Sequence, residues 1–164
     1  SAEALQQIVF WSMGSLTRAN WAANGVLAAV LIIALPILWA LGWRLTALRL
    51  GDARATAMGV NTSRLRIVVL IVVSLVAATT VAFAGIIGFI GLVGPHIARM
   101  LVGEDQRYFL PASMAAGAAV MCAAHAVSLM IKPGLAIPIG IVTSLLGVPF
   151  FIAIVMTRRR ALWT

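Results

Sequence analysis

The feature that most limits what this chain can fold into is a set of long apolar runs separated by short basic ones. The first, Trp21 to Trp43, reads WAANGVLAAVLIIALPILWALGW and carries no charged side chain. A helix of that length rises about 33 Å at 1.5 Å per residue, enough to cross the hydrocarbon core of a bilayer. Four more apolar runs follow, at about 67–84, 86–101, 111–131 and 137–156. The spacing predicts an all-α fold: a polytopic transmembrane bundle of about five spans, forming a single transmembrane domain over 1–164. Trp21 at one end of the first run, and Trp39 and Trp43 at the other, suit the membrane interface, and Pro36 predicts a kink. The run at 86–101 is short and rich in glycine, so it reads either as a weak span or as the second half of a long broken helix begun at 67. Interrupted helices of this kind are tolerated where the freed backbone packs on protein or lines a cavity.

Composition bears on the rivals. Hydrophobic residues make up 63% of the chain and charged residues 10%, against about 45–50% and 25% in soluble domains. The net charge of +8 does not point to nucleic acid, because the basic residues are interspersed between apolar runs. Nucleic-acid binding needs them gathered on a solvated face beside stacking aromatics. If Arg158, Arg159 and Arg160 face the cytoplasm, the cytoplasmic segments are 44–66, 99–107 and 157–164, and they hold ten of the twelve basic residues. Only Arg18 and Lys132 fall elsewhere. This agrees with the positive-inside rule and puts the N-terminus outside, as expected if further spans precede it. The lone Cys122, inside an apolar run, reads as a small packing residue.

Six segments carry polar or conformationally special residues. The loop Arg44–Arg66 alternates Leu45, Leu48, Ala55, Met58 and Val60 with Arg49, Asp52, Arg54 and Thr56, is interrupted at Gly51, and ends in Gly59-Val60-Asn61. It predicts two short interfacial helices, either an ordinary basic loop or a docking element for a cytoplasmic partner. Gly85, Gly88, Gly91 and Gly94 recur every third residue ahead of Pro95, predicting close helix packing at a bend, or a hinge. His96 and Arg99 share a helical face. No metal is expected there, because His125 lies in another run and too few ligands are near; a hydrogen-bonded His and a snorkelling Arg are the simpler reading. Gly103-Glu104-Asp105-Gln106-Arg107 reads as a polar turn whose acids offset nearby arginines. His125, with Ser128, predicts an interhelical hydrogen bond or a substrate contact. Gly140 and Gly147, with Thr143 and Ser144 between them and Pro149 after, predict a packing surface or part of a translocation path. No nucleophile–base pair, metal cluster or phosphate-binding loop appears, so the chain is expected to be neither an ATPase nor another enzyme, and to need no cofactor.

Four blocks, in order, resemble the permeases of metal-chelate-type ABC importers, the siderophore, haem and vitamin B12 transport family. They are FWSMGSL at 10–16 with Trp21, LGDARATAMGV at 50–60, AGIIGFIGLVGPHIARMLVGEDQRYFLPAS at 84–113, and IPIGIVTSLLGVPFF at 137–151. The chain has His125, Ser128 and Ala136 where members often carry Asp, Arg and Glu. The resemblance implies roughly the C-terminal half of a ten-span subunit in a bacterial inner membrane. Its implied partners are a second permease subunit as a homodimer, cytoplasmic ATP-binding subunits, an external solute-binding protein and membrane lipid. It also implies that Leu50, Gly51, Ala55, Met58 and Gly59 belong to the ATPase-coupling segment, that 10–18 lies near the external mouth, and that transport proceeds by alternating access. The rivals are a membrane scaffold that only binds partner helices, and an intramembrane enzyme built on His96 and His125.

Overall fold

A computed structural model describes residues 2–16, 19–131 and 138–160. Arg18, Lys132 and Ala136 lie outside the described residues. The described chain is all-helical: α1 Ala2–Ser12, α2 Trp21–Ala40, α3 Gly42–Leu48, α4 Asp52–Ala57, α5 Thr62–Ala84, α6 Ile90–Val102, α7 Gln106–Ile131 and α8 Ile139–Arg160.

Helices α2 and α5 begin where the sequence supplies a cap. Asn20 Oδ1 accepts from the Ala23 amide at 2.7 Å, and Asn61 Oδ1 accepts from the Arg64 amide at 3.0 Å, the side-chain capping that satisfies an otherwise orphaned donor. The Asn61 cap starts α5 five residues earlier than the apolar run alone suggests, because Thr62–Arg66 continue the same helix in polar surroundings. Among the described residues, three helices, α2, α5 and α7, are long and apolar enough to cross a membrane. α2 runs on past Pro36 as one helix to Ala40.

The glycine-rich run departs most from expectation. Residues 85–89 are not helical and α6 starts at Ile90. Gly85 (φ +75°) and Phe89 (φ +67°) both have left-handed backbone, which ends α5 and forces an elbow before α6. The three-residue glycine period therefore never forms a continuous helical stripe. Pro95 lies inside α6 and does not start it. At 13 residues, α6 is the short second limb of a broken element. α8 is 22 residues long, with Ile139–Ile152 its apolar described portion.

Helices pair as α2 with α5 and α6 with α7, while α8 lies against α6 and α7, and α3 touches α2, α4, α5 and α7. On α5 only a stripe through Leu65, Val69, Val72, Val76 and Thr79 is covered, the three-and-four spacing of one helical face. Leu70 and Ile71, each 64% exposed, point away from it. Such widespread apolar exposure suits lipid or further helices as the surroundings. Two small buried clusters remain: Ala47, Ala55, Val60 and Leu65 at one end, and Ala124, Ile139 and Val142 at the other.

Candidate functional site

At the arginine-bearing end, α3 and α4 fold as a unit on the start of α5. Gly51 (φ +99°) turns the chain between them and Gly59 (φ +82°) turns it into Val60, positions where a side chain would be strained but space is open. Ala55 is fully buried in this unit, so it holds the unit together. Leu50 and Met58, each 54% exposed, point outward beside it. Arg66 pairs with Asp52 at 2.7 Å, tying α4 to α5.

The unit is also tied to the α6–α7 turn. Arg49 pairs with Glu104 at 2.6 Å, and Arg99 of α6 approaches the same carboxylate at 3.4 Å. Thr46 Oγ1 accepts from the Gln106 amide at 3.0 Å. Asp105 caps α7 by accepting from the Arg107 amide at 3.0 Å. That backbone hydrogen bond, reinforced by the Arg107 guanidinium, holds the Asp105 carboxyl below the usual carboxylate range. The Arg99 guanidinium also lies over the Phe109 ring at 5.8 Å, so the same cationic group is paired with a carboxylate and stacked on an aromatic face.

At the opposite end the contacts are between backbones. The Met13 and Gly14 carbonyls accept from the Gly140 and Ile139 amides, both at 3.2 Å, and the Ser15 amide donates to the Ala84 carbonyl at 2.9 Å. Trp11 Nε1 donates to the Ala82 carbonyl at 3.4 Å. The segment after α1 thus satisfies donors at the start of α8 and acceptors at the end of α5, groups that helix termini leave unpaired. Gly14, Gly85 and Gly140 make this approach possible. A Cβ on Gly14 would stand 2.7 Å from the Ile86 carbonyl oxygen, one on Gly85 would collide with the Trp11 carbonyl, and one on Gly140 with the Met13 carbonyl. Thr143 and Ser144 both donate to the Gly140 carbonyl, at 3.1 and 2.7 Å.

Between the two ends, Gly147 forms a notch filled by the Phe89 side chain, whose Cδ1 would lie 2.8 Å from a Cβ there. Phe89 and Gly147 border an apolar cavity of about 230 Å³ between α6, α7 and α8 that Val93, Val120, Thr143 and Phe150 also line. Gly94 crosses Gly117 of α7, with 3.1 Å from a built Cβ to the Gly117 Cα. Gly88 faces Ser144 at 3.9 Å, whereas Gly91 has open space beside it. Pro95 is half-buried and Pro149 exposed.

The two histidines do not meet the expectation of hydrogen bonding. His96 stands edge-on to the Phe150 ring at 5.5 Å, an aromatic contact, and neither it nor His125 makes a hydrogen bond among the described residues. No group of three or more His, Cys, Asp or Glu collects among the described residues. The sequence reading missed Gly14, Thr46, Phe89 and Gly117. The lone aromatic between glycines in GIIGFIG is the one local signal for Phe89. Thr46 gave none, because its partner is 60 residues away.

The model of the FecCD transport family matches residues 1–157. The chain is 40% identical over 152 residues to the Fe(3+)-citrate import system permease of Bacillus subtilis, covering 93% of this chain and 46% of that one. It is 37% identical over 158 residues to the hemin transport system permease of Yersinia pestis, covering 96% and 47%. A solved metal-chelate-type ABC transporter in an inward-facing conformation superposes with a TM-score of 0.87 at 38% identity, over 93% of this chain and 50% of that one. The chain thus spans about half the length of the relatives it matches. With its several apolar spanning helices, the chain is a multi-pass integral protein of the inner membrane and belongs to the FecCD transport family.

Proposed function

We propose that this chain forms part of the membrane-spanning permease of an ATP-driven importer for a metal chelate: an iron–siderophore or iron–citrate complex, haem or vitamin B12. The family and the relatives' ferric citrate and hemin cargoes support the substrate class. The observation that carries the reading is the folded α3–α4 unit at the arginine-bearing end, which presents Leu50 and Met58 outward from a buried core. A basic topology loop needs no core of its own. Exposed apolar side chains on a rigid support suit a protein partner. In this reading that end is cytoplasmic and the partner is an ATP-binding subunit, which carries the hydrolysis. A second permease copy completes the pathway, and an external solute-binding protein delivers cargo near the 10–16 segment.

Closure of the ATP-binding subunits then moves the α3–α4 unit, and the membrane helices follow as rigid bodies about the Gly85–Phe89 elbow. Gly88, Gly91, Gly94 and Pro95 on one limb, and Gly140, Gly147 and Pro149 on α8, form the surfaces that accommodate the motion. The test is co-purification of the full-length permease with its ATP-binding subunit, comparing wild type with Met58→Asp and Gly59→Asp. Met58→Asp leaves the left-handed turn at Gly59 untouched, so it reports contact alone. Retention by wild type and loss in Met58→Asp are expected. Equal retention in all three would refute the docking surface, and ATP-driven uptake separates an importer from a helix-binding scaffold.

A further inference from the structure

We propose that Glu104 is a positioning residue that makes the α3–α4 unit hold α6 and α7 together, so that motion of the unit drives the bent limb and does not slip past it. The inference rests on the importer reading above and deepens it. Arg49, the residue that closes α3, grips Glu104 twice: Nη2 lies 2.6 Å from Oε2, and Nη1 donates to the Glu104 backbone carbonyl at 3.2 Å. The other carboxylate oxygen, Oε1, faces Arg99 Nε of α6 at 3.4 Å. One acidic side chain thus joins the end of the coupling unit to the last turn of α6.

Placement makes this a point of leverage. Gly103 (φ +75°) ends α6 and α7 starts at Gln106, so Glu104 sits in the tight turn between them. A second tie, from a different residue, runs beside it. Thr46 Oγ1 donates to the Gly42 carbonyl at 3.1 Å and accepts from the first amide of α7 at 3.0 Å. Gly42 lies so close that a Cβ there would stand 3.0 Å from Arg107 Cγ, so α3 rests on the opening turn of α7.

The groups are largely exposed: the Arg49 and Glu104 side chains keep 35% and 55% of their accessible surface. Exposed pairs of this kind contribute little to folding stability. A guanidinium whose two arms hold a carboxylate oxygen and the backbone carbonyl of the same residue does fix direction. A network weak for stability and strong for geometry is suited to transmitting a displacement.

The experiment uses the full-length permease with its ATP-binding subunits in vesicles, with ferric citrate, a ferric hydroxamate siderophore, hemin and vitamin B12 each offered as cargo. Uptake and ATP hydrolysis are measured together for wild type, Glu104→Gln, Arg49→Gln and the double variant. Each single change should lower uptake per ATP about three- to tenfold, with the subunits still assembled and ATP still hydrolysed. The double variant should be no worse than the poorer single one, because both changes break one contact. Arg49→Lys, which keeps the charge and loses the fork, should fall between. An unchanged ratio in Glu104→Gln, or single losses that multiply in the double variant, overturns the inference alone. So does a loss of uptake that only follows the amount of folded protein. Absence of ATP-driven uptake in wild type overturns the importer reading, and this inference with it.

Discussion

At the arginine-bearing end, helices are joined through the tips of long side chains: Arg49 and Arg99 to Glu104, and Arg66 to Asp52. At the opposite end they are joined backbone to backbone, through Met13–Ser15, Ala84 and Ile139–Gly140. Long side chains let the helices that carry them shift while the paired tips stay in contact, since their rotamers readjust. Closely apposed backbones do not, because nothing between them can yield. The first arrangement suits an end that receives motion, and the second an end that acts as a fixed pivot. The elbow at Gly85–Phe89 begins at the fixed end, with the Phe89 ring seated against Gly147.

The difference can be broken most severely at Gly85. Gly85→Ala meets both the Trp11 carbonyl and an unfavourable positive φ. Expected destabilisation of the full-length permease is about 2–5 kcal/mol, combining left-handed backbone strain with overpacking, read as thermal unfolding in detergent. A stability equal to wild type would mean that the pivot is soft.

Next in size is the notch. Gly147→Ala should cost about 1–3 kcal/mol by overpacking, and adding Phe89→Ala should recover part of that loss, since the two changes share one contact. Losses that simply add would show that Phe89 does not fill the space. Gly147→Leu should abolish uptake while membrane insertion persists.

Gly91 sharpens the comparison differently. With open space beside it, Gly91→Leu should shift stability by no more than about 0.5 kcal/mol yet lower uptake, if this face of α6 meets a helix of the complete permease. Unaltered uptake would remove Gly91 from the moving surface.

Small effects on stability also belong at the arginine-bearing end. Asp52→Asn removes the pairing with Arg66 and should cost about 0.2–1 kcal/mol, less at high salt. Asp105 contributes a pH dependence. Its carboxyl is held below its ordinary value, so its contribution is present above the unfolded carboxylate range and is lost as pH falls through the lower folded value. Asp105→Asn should therefore lower stability at neutral pH and flatten the acid limb, so that the two stability–pH curves converge below about pH 4. An identical acid limb would mean that the cap is not charge-dependent.

Much of the fold is legible in the sequence because lipid imposes one rule on every span: apolar length with the backbone satisfied internally. The runs that became α2, α5 and α7 follow that rule, whereas the two short helices of the 44–66 loop are legible because Gly51 and Gly59 mark their limits by local conformation alone. The elbow was only half legible. Four glycines announced a special backbone, but a period of three along the chain does not say which of them end a helix. Phe89 adopting a positive φ is a choice made by what it packs against.

By itself, then, the sequence determined the class of fold, the three long apolar helices, the breaks at Gly51 and Gly59, and the family, because each follows from composition, local propensity or a contiguous motif. Only the tertiary structure decided that Gly14, Gly85 and Gly140 meet, that Phe89 fills the space at Gly147, that Ala55 faces inward while Leu50 and Met58 face out, and that Glu104 stands between Arg49 and Arg99. Most of those contacts join residues dozens of positions apart. Their energies depend on distances of a few tenths of an ångström between surfaces that no local pattern specifies.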